Sequence, residues 1–346
     1  MGHVKTLRYD KGVLHLIDQR KLPDKLEIFE CRSFKDVEFA IRDMVVRGAP
    51  AIGVTAAYGV VIAAAEFLHL PKGEYVDSLK SSIKFIGNSR PTAVNLMWAL
   101  KRMEQVIDEN LDVSNQGIYE ALLDKATQIE AEDIKINRKM AKHGNEVVPG
   151  GATILTHCNA GALATVDYGT ALGVIREAHH SGKNIKVFAD ETRPRFQGAR
   201  LTTWELVQEG IPVTLIPDSV APVLIRDGKI DIILVGADRI ALNGDTANKI
   251  GTFMLSQMAR DFNVPFYVVA PVSTIDFEIE DGSQIVIEER DFREVTHIGE
   301  FRIAPQGICV YNPAFDVTPN SNITGIITEA GIITPDFREN ILKLKK

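Results

Sequence analysis

Two segments of this chain carry residue types able to move protons: Thr156-His157-Cys158-Asn159-Ala160-Gly161 and Gly236-Ala237-Asp238-Arg239-Ile240. One offers a thiol, the other a carboxyl group. Each follows an apolar run, 152–155 and 230–235, of the kind buried on both faces of a parallel sheet. Open α/β sheets place ligands beyond the carboxyl ends of their strands, so Cys158 and Asp238 read as a proton-transfer couple. Each also has a plainer reading. Cys158 could be a small buried hydrophobe, whereas a thiol at a helix start is acidified and could act as acid, base or nucleophile. Asp238 could merely cap its strand and pair with Arg239, whereas a desolvated carboxyl group could serve as general acid.

Asp190, Glu191 and Asp218 also fall near predicted strand ends and make, with Asp238, an acidic rim. Such a rim would repel phosphate unless at least one carboxylate were protonated or charge-paired. Alternation along a strand points His157 and Cys158 to opposite faces, which makes His157 a structural support. His179-His180 close a predicted helix, where imidazole suits the dipole rather than a metal. The loop Glu191-Thr192-Arg193-Pro194-Arg195-Phe196-Gln197-Gly198-Ala199-Arg200 reads either as a lid or substrate contact or as a solvated turn. Cys31 and Cys309 stand in no such context and read as structural.

Three turns resemble anion sites. Arg47-Gly48-Ala49-Pro50-Ala51-Ile52-Gly53 ends one predicted helix and starts another, with Pro50 suited to a first helical position and Arg47 beside the free N–H groups. Asn88-Ser89-Arg90-Pro91-Thr92 repeats the arrangement. Asn243-Gly244-Asp245-Thr246-Ala247-Asn248-Lys249-Ile250-Gly251 is a third polar turn leading into a helix, with Lys249 near its start. Any one of these is a common surface detail; three in one chain favour a phosphate ligand.

The elements that must position these residues divide at Val147-Val148-Pro149-Gly150-Gly151, giving domains 1–147 and 148–346. Upstream, extended chain over 4–29 gives way to helices. Ser33 caps the first of them with Asp36 three residues on, and Val37, Ala40, Ile41, Met44 and Val45 form its stripe. Further helices are predicted over 51–68, 92–109 and 116–141. Downstream, apolar runs at 152–156, 185–189, 213–216, 230–235 and 265–269 alternate with helices near 170–180, 200–209, 222–226 and 250–262. That alternation predicts right-handed βαβ units and a mostly parallel sheet covered on both faces. The acidic stretch 275–300 reads as an edge hairpin or excursion. The fold class is therefore α/β, a mainly helical N-terminal domain followed by a Rossmann-like doubly wound parallel-sheet domain. Gly161, Gly169 and Gly173 do not make GxGxxG, and no GxxxxGK[ST] loop is present, so no nucleotide cofactor is expected.

Composition sets the outer bounds. The chain has 346 residues, 45% hydrophobic and 25% charged, the balance of a globular protein with room for two cores. Its net charge of -7 comes with scattered basic residues, which argues against nucleic acid but leaves room for a small phosphorylated ligand. Three widely spaced cysteines with no CxxC pair predict neither a disulfide framework nor a thiolate zinc site, and favour a reducing, cytoplasmic setting. Residues 1–8 carry no signal-peptide core, and the uncharged stretch 51–65 is shorter than the roughly 20 residues that span a bilayer. No membrane partner is expected.

The chain resembles the methylthioribose-1-phosphate isomerase family, which is related to the regulatory subunits of eukaryotic translation initiation factor 2B. The resemblance runs over essentially its whole length. It rests on Arg47-Gly48-Ala49-Pro50-Ala51-Ile52-Gly53, Arg90-Pro91-Thr92-Ala93-Val94-Asn95-Leu96, Cys158-Asn159-Ala160-Gly161, Glu191-Thr192-Arg193-Pro194 and Gly236-Ala237-Asp238-Arg239. The resemblance implies that Cys158 and Asp238 are the catalytic pair. Arg47, Gly48, Ala49, Arg90, Gln197, Asn248 and Lys249 are then the substrate and phosphate contacts. It also implies a homodimer that needs no metal and no cofactor, acting on a small sugar phosphate in methionine salvage. The implied reaction is conversion of 5-methylthio-α-D-ribose 1-phosphate into 5-methylthio-D-ribulose 1-phosphate. Sister readings are an isomerase of 5-deoxyribose 1-phosphate or ribose 1,5-bisphosphate, and a non-catalytic initiation-factor-like regulatory subunit.

Overall fold

The computed structural model describes residues 4–90 and 93–345. In chain order its elements open with strands β1 (Leu7–Asp10), β2 (Val13–Ile17) and β3 (Ile28–Cys31). Helices α1 (Phe34–Arg42), α2 (Ala49–Glu66), α3 (Lys72–Gly87), α4 (Val94–Glu109) and α5 (Asn115–Val147) follow. Then come β4 (Thr153–Thr156), α6 (Ala171–His180), β5 (Lys186–Asp190), α7 (Thr203–Gln208), β6 (Val213–Ile216), α8 (Ala221–Arg226) and β7 (Ile232–Val235). Next are β8 (Arg239–Ile240), β9 (Thr246–Lys249), α9 (Thr252–Asp261), β10 (Phe266–Val269), α10 (Arg293–Thr296), β11 (His297–Ile298) and β12 (Phe301–Arg302). The chain closes with β13 (Phe315–Thr318), β14 (Gly325–Thr328), β15 (Gly331–Ile333) and α11 (Phe337–Leu342).

These elements form two compact units. One takes the chain up to Arg138 together with Gly161–Gly169, the other Lys139–Ala160 and Thr170 onward. The division therefore falls inside α5 rather than at its end near 147, and a later segment returns to the first unit.

In the first unit β1, β2 and β3 form an antiparallel sheet in that order. Leu14 and Leu16 on β2 are fully buried and alternate with half-buried Val13 and His15, the period expected of a strand with one core face. The α1 capping box is present: the Asp36 N–H donates to Ser33 Oγ and the Ser33 N–H to Asp36 Oδ2, at 3.2 and 2.8 Å. Val37, Ala40 and Ile41 are buried, but α1 stops at Arg42, short of the Met44 and Val45 end of the expected stripe. Every residue of α2 from Ala51 to Ala64 is buried, which explains a helix apolar on all sides. α3, absent from the sequence reading, buries Tyr75, Leu79, Ile83 and Ile86 on one face. The returning segment is held by the Thr6 hydroxyl on the Ala162 carbonyl (2.5 Å), the Gln19 amide on the Leu163 carbonyl (2.7 Å) and the Val166 N–H on Asp133 Oδ2 (2.9 Å).

The second unit is built on a seven-stranded sheet of order β15-β14-β10-β7-β4-β5-β6. All its pairs are parallel except β14 with β15. The five apolar runs read from sequence are β4, β5, β6, β7 and β10; β14 and β15 extend the sheet beyond them. Winding starts at β4, proceeds outward through β5 and β6, then reverses to β7, β10 and β14. A second, small sheet of order β13-β9-β8 lies apart from the large one in the hydrogen-bond pattern. The stretch 275–300, expected as a hairpin or excursion, contains short helical turns, α10 and the two-residue strand β11, which pairs antiparallel with β12 just beyond it.

Candidate active site

Strands β4 and β7 are neighbours, with Ile154 opposite Ile232 and Leu155 opposite Ile233. Parallel neighbours run about 4.8 Å apart, so the loops leaving their carboxyl ends start side by side. Cys158 lies on one loop and Asp238 on the other, both half-buried. The winding reverses between these two strands, the position at which open α/β sheets form their ligand crevice.

Cys158 does not begin a helix. The next turn is a three-residue 3-10 segment, Ala162–Ala164, and α6 starts at Ala171. Instead Cys158 has a left-handed backbone, φ 62°, which costs an L-residue roughly 1–2 kcal/mol. Two threonine side chains hold that conformation. The Cys158 N–H donates to Thr192 Oγ1 at 2.9 Å, and the Thr202 hydroxyl donates to the Cys158 carbonyl at 2.6 Å. Neither threonine was singled out in the sequence. The nearest signal was Thr192 in the Glu191-Thr192-Arg193-Pro194 motif.

His157 is fully buried and acts as the support its position suggested. Its Nε2 lies 2.8 Å from the Ile250 carbonyl and its Nδ1 2.9 Å from Asp190 Oδ2. A carbonyl only accepts, so Nε2 carries hydrogen and the pair with Asp190 shares a further proton. Burial opposes charge on the imidazole, but the Asp190 hydrogen bond and charge outweigh it and raise the His157 pKa. Asp218 accepts the Thr192 N–H through Oδ1 and the Arg193 N–H through Oδ2, both at 2.7 Å. Ligand-type atoms of His157, Asp190 and Asp218 lie within 4.8 Å of one another, but both imidazole nitrogens and both Asp218 oxygens are committed to these bonds. The acidic rim is thus internally compensated at Asp190 and Asp218.

The Arg- and Gln-rich loop is anchored rather than open. Arg193 Nη2 donates to the Val295 carbonyl at 3.0 Å and Arg195 pairs with Glu294 at 2.7 Å, tying the loop to α10. Gln197 is buried, and its Oε1 has no hydrogen-bond partner among the described residues. Behind it, a Cβ on Gly198 would stand 1.7 Å from the Asp190 carbonyl oxygen, so only glycine lets the loop pack so closely.

The third helix start expected from sequence is a strand. Thr246–Lys249 is β9, buried throughout and paired with β13, and the helix begins only at Thr252. Its N-terminus is already occupied by a carboxylate. The Gly251 N–H donates to Asp316 Oδ2 at 2.7 Å and the Phe253 N–H to Oδ1 at 3.0 Å. Asn248 donates to the Thr252 hydroxyl, while the buried Lys249 ammonium donates to the Ala314 carbonyl at 2.9 Å and lies over the Phe315 ring.

Arg47, Gly48, Ala49 and Arg90 belong to the first unit. Gly48 is the N-cap of α2 with φ 96°, no side chain caps that end, and proline stands within the first helical positions. A Cβ on Gly48 would sit 2.4 Å from Ala164 Cα, so glycine is required twice over. Of the Arg90 motif, Pro91 and Thr92 lie outside the described residues; α4 starts at Val94.

The Initiation factor 2 subunit family matches residues 45–335. The chain belongs to that family. Within it, the chain is 68% identical to a methylthioribose-1-phosphate isomerase of a Thermoanaerobacter species, over 100% of both chains. Among solved structures, 5-methylthioribose 1-phosphate isomerase of Pyrococcus horikoshii OT3 is 44% identical with a TM-score of 0.93, covering 98% of this chain and 95% of that one. A translation initiation factor eIF-2B, subunit delta, from A. fulgidus is 45% identical with a TM-score of 0.88, covering 99% of both. Family members of either name therefore share this chain's architecture.

Proposed function

We propose that the protein is an aldose–ketose isomerase that converts 5-methylthio-α-D-ribose 1-phosphate to 5-methylthio-D-ribulose 1-phosphate, with Cys158 and Asp238 as its acid–base pair. The observation that carries this reading is the placement of both residues on adjacent strand ends where the winding of the sheet reverses. The names of the full-length relatives support the substrate.

Phosphate on the anomeric oxygen prevents the sugar from opening to a free aldehyde. In the proposed route Asp238 protonates the ring oxygen as the bond from it to C1 breaks. The Cys158 thiolate takes the C2 proton, and those electrons form a C1–C2 double bond. The proton then returns to C1, and O2 releases its own proton to Asp238 as the ketone forms. Arg47, Gly48, Ala49, Arg90, Gln197, Asn248 and Lys249 are proposed as substrate contacts, and the working form as a cytoplasmic homodimer.

Proton NMR of the purified protein with 5-methylthioribose 1-phosphate, in EDTA and without added cofactor, tests the assignment. Appearance of the ketose 1-phosphate supports it. No conversion by folded protein would turn attention to 5-deoxyribose 1-phosphate and ribose 1,5-bisphosphate. It would then favour a regulatory subunit without catalysis, the reading that the A. fulgidus neighbour's name favours. Run in deuterium oxide, the reaction is expected to leave deuterium at C1; a product without it would replace the proton route by direct hydride transfer.

A further inference from the structure

The left-handed turn at Cys158 requires an explanation, because such a conformation persists only where the surroundings over-determine it. Both hydrogen bonds that fix it come from threonine hydroxyls, and each hydroxyl is used in both directions. Thr192 Oγ1 accepts the Cys158 N–H at 2.9 Å and donates to the Asp190 carbonyl at 3.1 Å. Thr202 Oγ1 donates to the Cys158 carbonyl at 2.6 Å and accepts from the Asn159 amide at 3.2 Å. Both threonines are 0% exposed.

Each hydroxyl leads back to a buried ion pair. On one side Asp190 is paired with His157. On the other, the Asn159 amide donates to Glu205 at 2.8 Å, and Glu205 is bound by Arg176 at 2.7 Å, with Arg176 and Glu205 both fully buried. Buried charges held this way move little, so the two threonines connect Cys158 to two rigid anchors.

We propose that Thr192 and Thr202 are positioning residues that fix the Cys158 thiol at the mouth of the sheet by clamping its backbone from both sides. The inference rests on Cys158 being the reactive thiol of the proposed isomerase. A hydroxyl is what the clamp needs; the threonine methyl group is not.

The test compares Thr192→Val and Thr202→Val, which keep the shape and remove the hydroxyl, with the matching serine variants. Turnover of 5-methylthioribose 1-phosphate is measured alongside the pH profile of Cys158 alkylation by iodoacetamide, followed at that cysteine by mass spectrometry. A displacement of about 1 Å at a reacting group costs up to about a hundredfold in rate. The valine variants are therefore expected to lose roughly ten- to a hundredfold in kcat with KM within about threefold, and to shift the alkylation profile, while serine restores both. Valine variants with wild-type kcat and a wild-type alkylation profile would overturn the proposal, as would serine variants no better than valine. Should a valine protein fail to fold, the alanine variant replaces it, and loss of fold there too would reduce the clamp to a structural role. Alkylation needs no substrate, so it separates failure of the clamp from failure of the isomerase assignment.

Discussion

His157 Nε2 lies 2.8 Å from the carbonyl oxygen of Ile250, joining the residue before Cys158 to the residue after Lys249. The same ring meets Asp190, so one imidazole links the end of β4, the end of β5 and the turn into α9. This arrangement binds a proton more tightly than the unfolded chain does.

The sign follows from linkage. With the folded His157 pKa raised above its ordinary 6.5, its contribution to stability is complete below that pH and is lost as pH rises through the folded value. Wild-type thermal stability is therefore expected to fall as pH rises above about 6.5, and His157→Gln to lose that part of the slope. Parallel slopes for the two proteins in calorimetry between pH 6 and 9 would contradict this.

A second buried acid acts in the same direction at lower pH. Burial pushes the Asp133 carboxyl group up to about 7, against the opposing Val166 hydrogen bond. The folded chain thus holds this proton where the unfolded chain has released it, and stability declines between about pH 4 and pH 7. Asp133→Asn keeps an oxygen for the Val166 N–H and should flatten that decline, making the variant more stable than wild type at pH 8. Urea denaturation at pH 5 and pH 8 decides it, and an equal loss of stability at both would refute the account.

For the chemistry, Asp238→Asn should abolish turnover, by about a thousandfold or more, while leaving the melting temperature within a few degrees of wild type. Cys158→Ser should be similarly impaired. Retained turnover in either would remove that residue from the proton-transfer pair.

The Arg176 site predicts a loss of stability instead. Arg176 pairs with Glu205 and Glu209, each at 2.7 Å, and removing it strands the fully buried Glu205. Arg176→Met should cost about 3–5 kcal/mol, and adding Glu205→Gln should recover much of it, since glutamine still accepts from Asn159. Denaturant midpoints of the single and double variants provide the comparison.

What could be read from the residues follows their physics. β4, β7 and β10 were legible because strands buried on both faces must be continuous apolar runs, and β5 and the edge strand β6 because they too are short apolar runs, although Thr214 and Leu215 of β6 are exposed. The Ser33–Asp36 capping box was legible because its partners are three residues apart. β9 was not: Thr246-Ala247-Asn248-Lys249 reads as a polar turn, yet it pairs with the two-residue β8 just upstream and along all four of its residues with β13, more than sixty residues later. α3 offered Tyr75, Leu79, Ile83 and Ile86 at helical spacing, a signal diluted by the lysines and serines between them. Cys158 and Asp238 stood out through residue type and strand-end position. The hydroxyls of Thr192 and Thr202 could not, because their partners are 34 and 44 positions away.

Gly161–Gly169 leaves the unit that carries Cys158 and completes the other one, where Val166 joins the core with the residues of α2. In genetic terms the two units are not cassettes. No single cut in the gene separates the two units: a cut after codon 169 keeps the helical unit whole but takes residues 139–160 of the other with it, and a chimera that exchanged only the first 138 codons would keep a foreign patch of nine residues in its core. Recombination among relatives can then exchange the N-terminal unit cleanly only as two inserts, which ties the inheritance of the helical unit to codons lying immediately downstream of the cysteine.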